Sequence, residues 1–247
     1  MMVVLGVSLS HNGSVAIIRD GVVLAAIQAE RISRFKRKSL NLIDEKVLIK
    51  KCVAYCVQSA SLQNGDIDAI ALTTPWSVQI RDNESIKQFI LGDVQKNVET
   101  IYVPHHLSHM EYIIHYGNSA PGIALIIDGS GSLEQDRNKL DIKEKRHSEI
   151  IEHVHFAGKE VISAYWFDGF NSFLIYRFSP ATAPQENYNQ QSEGLLQSIG
   201  HYWEWASLYC CGSRNEAGKV MGLAAFGERN LDHKSILSID KMGKIKL

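Results

Sequence analysis

Apolar positions come first as three short runs. Residues 3–9, VVLGVSL, break at Ser10-His11-Asn12-Gly13, which has turn chemistry. The runs VAIIR and VVLAAIQAE follow, separated by Asp20-Gly21, a pair suited to the positive backbone angles of a type I′ hairpin. This pattern predicts a meander of three strands. Over 42–60 the spacing turns helical, with Leu42, Val47, Leu48, Cys52, Tyr55 and Cys56 as one apolar stripe that predicts a helix packed on the sheet. Asn64-Gly65 marks a turn, and IDAIALTT at 67–74 predicts a buried strand stopped before Pro75. Residues 77–100 show no periodicity that assigns them. A short strand is expected at 99–104, with Pro104 placed as the first residue of a helix. The apolar run IALII, 123–127, predicts a strand buried on both faces and ending at Asp128.

Beyond Asp128 the stretch 132–148 is charged and aperiodic, so an exposed loop or hairpin tip is expected. Residues 149–158 and 160–179 have strand character, with Asp168-Gly169 as a second hairpin signal and with His153 and His155 on one face of a strand. The polar stretch 180–193 predicts a loop. Residues 194–210 read as an amphipathic helix carrying two tryptophans. In 216–227, Gly218 and Gly222 stand four apart in a helical pattern, where each glycine costs roughly 1 kcal/mol relative to alanine. Either close helix packing or a ligand passing over the backbone accounts for them. The closing IDKMGKIKL is expected to be a strand.

Composition narrows the class without naming it. The 247 residues fit one large or two small domains, and 45% apolar with 21% charged content is that of a globular protein. A net charge of -1 argues against coating nucleic acid or a membrane surface. No apolar run approaches the ~18 residues of a membrane span. The first residues lack a signal peptide's basic region and cleavage site. Cys52 and Cys56, and the adjacent Cys210 and Cys211, match neither zinc-ribbon nor disulfide-framework spacing. Reduced thiols and a cytoplasmic location are expected.

Three stretches carry candidate chemistry. His105 and His109 are four apart, so on a helix their imidazoles project from one face, a spacing from which both reach one divalent metal. His106 and His115 read as solvated neighbours. A strand ending in Asp128-Gly129-Ser130-Gly131 delivers a carboxylate and backbone N–H groups to a crevice. Two imidazoles and a carboxylate suit Fe(II), Mn or Zn with open positions. The run from Glu30 to Lys38 is basic, and reads either as a solvated loop or as a lip for an anionic substrate.

Taken in order, the blocks GVSLSHNGSVAIIRDGVVLAAIQAERISRFKRK, HHLSH, LIIDGSG, and SIGHYWEWAS followed by EAGKVMGLAAFG resemble the carbamoyltransferase family of antibiotic and nodulation-factor biosynthesis. That family's first domain is related to the tRNA threonylcarbamoyl-transfer proteins. The resemblance implies an α/β fold of the sugar-kinase, Hsp70 and actin type: a ribonuclease H-like mixed sheet with flanking helices, incomplete at the carboxy end. A first subdomain, 1–122, carries the histidine helix, and a second begins at 123 and runs to 247. The implied reaction moves a carbamoyl group from carbamoyl-adenylate, made from carbamoyl phosphate and ATP, to a hydroxyl of a sugar or natural-product acceptor.

By the same resemblance His105, His109 and Asp128 hold a divalent metal, Fe(II) first, which binds the adenylate and polarises its carbonyl. His11 is the candidate catalytic base. Lys36 meets negative charge on the intermediate, Gly129 and Gly131 let backbone N–H groups approach the phosphate, and Gly218, Lys219 and Gly222 flank the nucleotide. Asn12 stands where many relatives carry aspartate, which removes a charge beside His11. A further metal-binding aspartate and an adenylate-forming domain of the family have no counterpart here. An amino-terminal portion of an enzyme is therefore expected, with a partner chain as one source of the other half. A nucleotide- or partner-binding fragment without catalysis is the alternative. A sugar-kinase-like ATPase is disfavoured, since phosphoryl transfer with Mg²⁺ does not call for paired histidines.

Overall fold

A computed structural model describes residues 1–74, 83–92, 97–116, 120–129, 131–134, 144–154, 158–169, 171–180, 199–227, 238–239 and 245–246. They form two compact units, the first running to His115 and the second from Tyr116 to Glu134 and from Lys145 onward.

The first unit opens with β1 (Val3–Ser8), β2 (Ser14–Arg19) and β3 (Val22–Gln28). Asp20 and Gly21 take φ of 47° and 82°, as the hairpin signal requires. Next come α1 (Ala29–Ser33), α2 (Lys46–Ser59), β4 (Ala69–Thr73), α3 (Asn83–Leu91), β5 (Glu99–Val103) and α4 (His105–Tyr116). The sheet order is β3-β2-β1-β4-β5, with the meander antiparallel and β4 and β5 parallel to β1. This mixed order is the ribonuclease H-like arrangement that the resemblance implied. Asp68 pins the start of the parallel pair, its carboxylate accepting the Val3 N–H at 2.7 Å and its own N–H bonding Val3 O at 2.8 Å.

Alternation along β1 buries Val3, Leu5 and Val7, and along β2 Val15 and Ile17. Against them α2 lays Ile49, Cys52, Val53 and Cys56, all essentially solvent-free. The expected stripe is thereby corrected. Val47 and Tyr55 face solvent, because the i, i+3, i+4, i+7 set that starts at Ile49 is apolar at every position and wins the core. Helix α3 fills part of the stretch that lacked a readable period, and buries Ile86, Ile90 and Leu91.

The second unit holds β6 (Gly122–Ile127), β7 (Arg146–Val154), β8 (Ile162–Asp168) and β9 (Asn171–Ser179) in the order β6-β8-β9-β7. The neighbours β6, β8 and β9 are antiparallel, and β7 runs parallel to β9. Gly169 at the β8–β9 turn has φ 57°, in keeping with its hairpin signal. Helices α5 (Ile199–Cys211) and α6 (Ala217–Ala224) follow. Near the carboxy end, β10 (Ser238–Ile239) and β11 (Ile245–Lys246) pair antiparallel, so the expected single strand is a two-stranded ribbon.

Strand β6 is a second correction. Ala124 and Ile126 are buried, but Ile123, Leu125 and Ile127 are exposed, so one face and not both enters the core. A continuous apolar run does not distinguish a strand buried twice from an antiparallel strand buried once. Most of the charged stretch 132–148 and of the loop expected over 180–193 lies outside the described residues, as do His155 and the side chain of His153.

Candidate functional site

In the first unit, the turn after β1 is held by backbone groups from two distant segments. Leu9 N–H bonds Thr73 O (2.8 Å), Gly13 N–H bonds Lys38 O (3.1 Å), Leu40 N–H bonds Ser10 O (3.0 Å) and Ala29 N–H bonds Gly13 O (2.8 Å). A Cβ on Gly13 would collide with Leu40 Cγ and sit 2.7 Å from Leu40 N, so glycine alone permits this approach. The framework sets the exposed His11 on the same turn that the basic segment clasps, and Lys36 is exposed on that segment. The basic run is not a uniform loop. Its first residues form α1, and Arg34 and Arg37 then take φ of 62° and 56°. Arg31 pairs with Glu30 and Lys38 with Glu45, while the Glu30 carboxylate accepts the Arg37 N–H at 3.0 Å.

At the carboxyl ends of β1, β4 and β5, a cavity of about 220 Å³ is lined by Gly6, Ser8, Ser14, Thr73, Val103 and Ser108 among others. Helix α4 begins beside it. Pro104 precedes the first helical residue, and its carbonyl accepts the Ser108 N–H at 3.0 Å. One turn apart, the rings of His105 and His109 meet edge to face, with centroids 4.8 Å apart. His105 is buried and its Nδ1 lies 3.5 Å from Thr73 Oγ1, while His109 is exposed. His106 is fully buried, not solvated as expected, because it falls on the inner side of α4 with Leu107 and Met110; His115 is exposed as expected.

In the second unit, Asp128 follows β6. Its N–H bonds Val161 O (2.9 Å), and its Oδ1 accepts the Gly129 N–H (2.6 Å). Gly131 N–H bonds Glu160 O at 2.7 Å. Of the two glycine amides proposed for phosphate, that of Gly129 is thus engaged by the Asp128 side chain and that of Gly131 by the Glu160 carbonyl. Helix α5 presses on this turn, since a Cβ on Gly200 would lie 2.6 Å from Gly129 N, 2.7 Å from Gly129 Cα and 2.8 Å from the Asp128 carbonyl carbon. One turn along α5, Glu204 Oε1 comes within 3.2 Å of the place a Gly129 Cβ would take.

Sequence reasoning passed over Gly200, Glu204, Thr73 and Ser108. A glycine four residues before a glutamate on the helix that follows Asp-Gly was the available signal for the first two. In α6, Gly218 and Gly222 sit within the helix, and a Cβ on Gly222 meets nothing within 4 Å, so packing does not explain it among the described residues. Lys219 pairs with Glu216 at 3.1 Å and stays exposed.

Against this geometry the comparisons with known proteins are specific at the amino end. Residues 3–87 match the family described as "Carbamoyltransferase N-terminus". The resemblance is to carbamoyltransferases. Over 144 residues the chain is 24% identical to nodulation protein NolNO of Sinorhizobium fredii, covering 49% of this chain and 20% of that protein. Over 64 residues it is 39% identical to an uncharacterised 19.2 kDa protein of Rhizobium etli, covering 26% of this chain and 33% of that one. It therefore spans a fifth to a third of the length of these curated relatives. The solved structure of YeaZ from Pseudomonas aeruginosa aligns over 74% of this chain and 70% of its own, at 13% identity and a TM-score of 0.42. The strand order, rather than that likeness, identifies the fold. No helix among the described residues is long and apolar enough to cross a membrane.

Proposed function

We propose that this chain is the amino-terminal portion of an O-carbamoyltransferase and carries part of its transfer site, where a carbamoyl group moves from carbamoyl-adenylate to a hydroxyl of a sugar or natural-product acceptor. The observation that carries the reading is the carbamoyltransferase match over 3–87, whose first turn and basic segment are clasped into one framework around His11. Within it, His11 accepts the acceptor's hydroxyl proton on an imidazole nitrogen as the oxygen attacks the carbamoyl carbon. The new C–O bond forms and the bond from the carbamoyl carbon to the phosphate oxygen breaks, with AMP leaving. Lys36, on the clasped segment, meets negative charge on the adenylate. Gly218, Lys219 and Gly222 flank the nucleotide, where a glycine facing open space leaves the helix backbone approachable.

His105, His109 and Asp128 are the proposed ligands of a divalent cation, Fe(II) first. Two imidazoles one helical turn apart and edge to face fit a shared ion, and with a carboxylate they make the donor set of an open, oxygen-binding site. When bound, such an ion supplies Lewis-acid polarisation of the carbamoyl carbonyl. The test is anaerobic Fe(II) and Zn(II) titration by calorimetry on the wild type and on a His105→Ala/His109→Ala variant. Stoichiometric binding in the wild type and at least about 100-fold weaker binding in the variant are expected. Equal binding by both proteins, or none by the wild type, refutes the metal assignment.

A further inference from the structure

The second unit hides a charge pair that the transfer chemistry above does not use. Arg177 on β9 and Glu160, just before β8, are both 0% exposed, and Arg177 Nε stands 3.5 Å from Glu160 Oε2. On its other side, Arg177 Nη1 lies 3.3 Å from Glu152 Oε1 on β7, and Arg146 Nη1 reaches Glu152 Oε2 at 2.8 Å. A buried ion pair of this sort is a weak source of net stability compared with apolar residues of the same volume, so its use lies elsewhere.

What the pair touches is the loop that follows Asp128. Glu160 Oε1 accepts the Ser132 N–H at 3.0 Å. The Glu160 main chain takes the same loop from both sides, its carbonyl accepting from Gly131 N–H (2.7 Å) and its N–H donating to Ser132 O (3.1 Å). Asp128 N–H bonds Val161 O at 2.9 Å, and Val161 N–H bonds Phe178 O on β9 at 3.0 Å. One residue thus meets Gly131 and Ser132 with three hydrogen bonds, while the buried Arg177 guanidinium forms an ion pair with its carboxylate at 3.5 Å. A carboxylate with one oxygen hydrogen-bonded to a backbone N–H and the other facing a buried guanidinium is restrained by geometry on one side and by charge on the other.

We propose that Glu160, paired with Arg177, is the positioning residue for Asp128: it holds Gly131 and Ser132 in place beside the turn and so sets the direction of the Asp128 carboxylate. This rests on the reading of Asp128 as a metal ligand, and groups that orient ligands act on metal affinity in the same way. Glu160→Gln keeps the shape and an oxygen for Ser132 N–H but removes the charge that holds Arg177. Arg177→Lys keeps the charge but not the fork, and remains testable should Glu160→Gln fold poorly.

Two readouts separate the proposal from the reading beneath it. Amide hydrogen exchange at Gly131 and Ser132 should quicken at least about tenfold in Glu160→Gln and less in Arg177→Lys, with β1 and β2 amides unchanged. Zn(II) affinity should fall about 10- to 100-fold in Glu160→Gln without change in stoichiometry. Wild-type exchange at Gly131 and Ser132 in both variants overturns the proposal. So does faster exchange spread evenly over all amides, which marks a merely structural pair, or faster loop exchange with wild-type Zn(II) affinity. If the wild type binds no Zn(II), the ligand role of Asp128 is lost and the positioning claim with it, while the exchange result still decides whether Glu160 orders the loop.

Discussion

Replacing Gly200 by alanine gives the sharpest test of how α5 supports the Asp128 turn. The added Cβ would stand 2.6–2.8 Å from three backbone atoms, Gly129 N, Gly129 Cα and the Asp128 carbonyl carbon, none of which can rotate away. Ordinary contact begins at 3.4 Å, so helix and turn must separate by about 0.8 Å. Overpacking of this kind costs about 1–3 kcal/mol. Alanine returns up to about 1 kcal/mol of helix propensity, and less so near a helix start. A net loss of about 1–2 kcal/mol follows, which for a chain of this size lowers Tm by roughly 2–8 °C. Metal affinity should fall too, because the carboxylate moves with its own carbonyl carbon. The matched control is Gly222→Ala in α6, where a Cβ meets nothing within 4 Å. There helix propensity acts alone, and stability should rise by about 0.5–1 kcal/mol. Thermal unfolding by circular dichroism and Zn(II) titration read both variants. A Gly200→Ala protein as stable as Gly222→Ala, binding metal as the wild type does, would refute the account.

Other consequences are open to simple assays. Gly13→Ala, whose Cβ would meet Leu40 Cγ and Leu40 N, should lose about 1–3 kcal/mol in urea unfolding. Burial, with the neighbouring Cys52 adding to it for Cys56, pushes both thiols up to about 11. In the folded protein at pH 8, alkylation should therefore label the exposed Cys210 and Cys211 and spare Cys52 and Cys56 until unfolding. The unfolded thiols ionise near the ordinary 9, so between about pH 9 and 11 the folded state holds protons the unfolded state has lost. That contribution is whole below pH 9 and fades as pH rises through 11; unchanged stability across this window refutes it.

The elements read correctly from sequence were those with a short-range cause. Asp20-Gly21 and Asp168-Gly169 dictate turns from two residues, and the runs beside them have nowhere to go but into paired strands. Facing was harder. Around α2, Val47 and Tyr55 are as apolar as the residues that enter the core, and only the sheet beneath decides which side is inside. The same ambiguity misassigned the second face of β6. Arg177 was illegible for a different reason. An arginine in a strand ordinarily marks a solvent-facing position, and nothing local shows that Glu152 and Glu160 approach it from other segments. In the candidate site, the histidine spacing was readable because a helix converts four residues into one face. The support from Gly200 and Glu160 depends on tertiary approach, which leaves no periodic trace.

The first turn is fastened to the segments around it by peptide groups, with Ser8 Oγ and Ser10 Oγ 3.3 Å apart as a side-chain contact inside it. Leu9, Gly13, Ala29 and Leu40 donate, while Thr73, Ser10, Lys38 and Gly13 accept through carbonyls. Every residue type has a carbonyl, and all but proline have an N–H. Phe35 can therefore diverge in bulk while the turn that bears His11 keeps its shape, whereas Arg34 and Arg37 are restricted by their positive φ. Such a layout separates inheritance of the turn's frame from variation at its rim. Phe35→Ala should alter the rim and leave the frame in place, read as an unchanged midpoint of thermal unfolding.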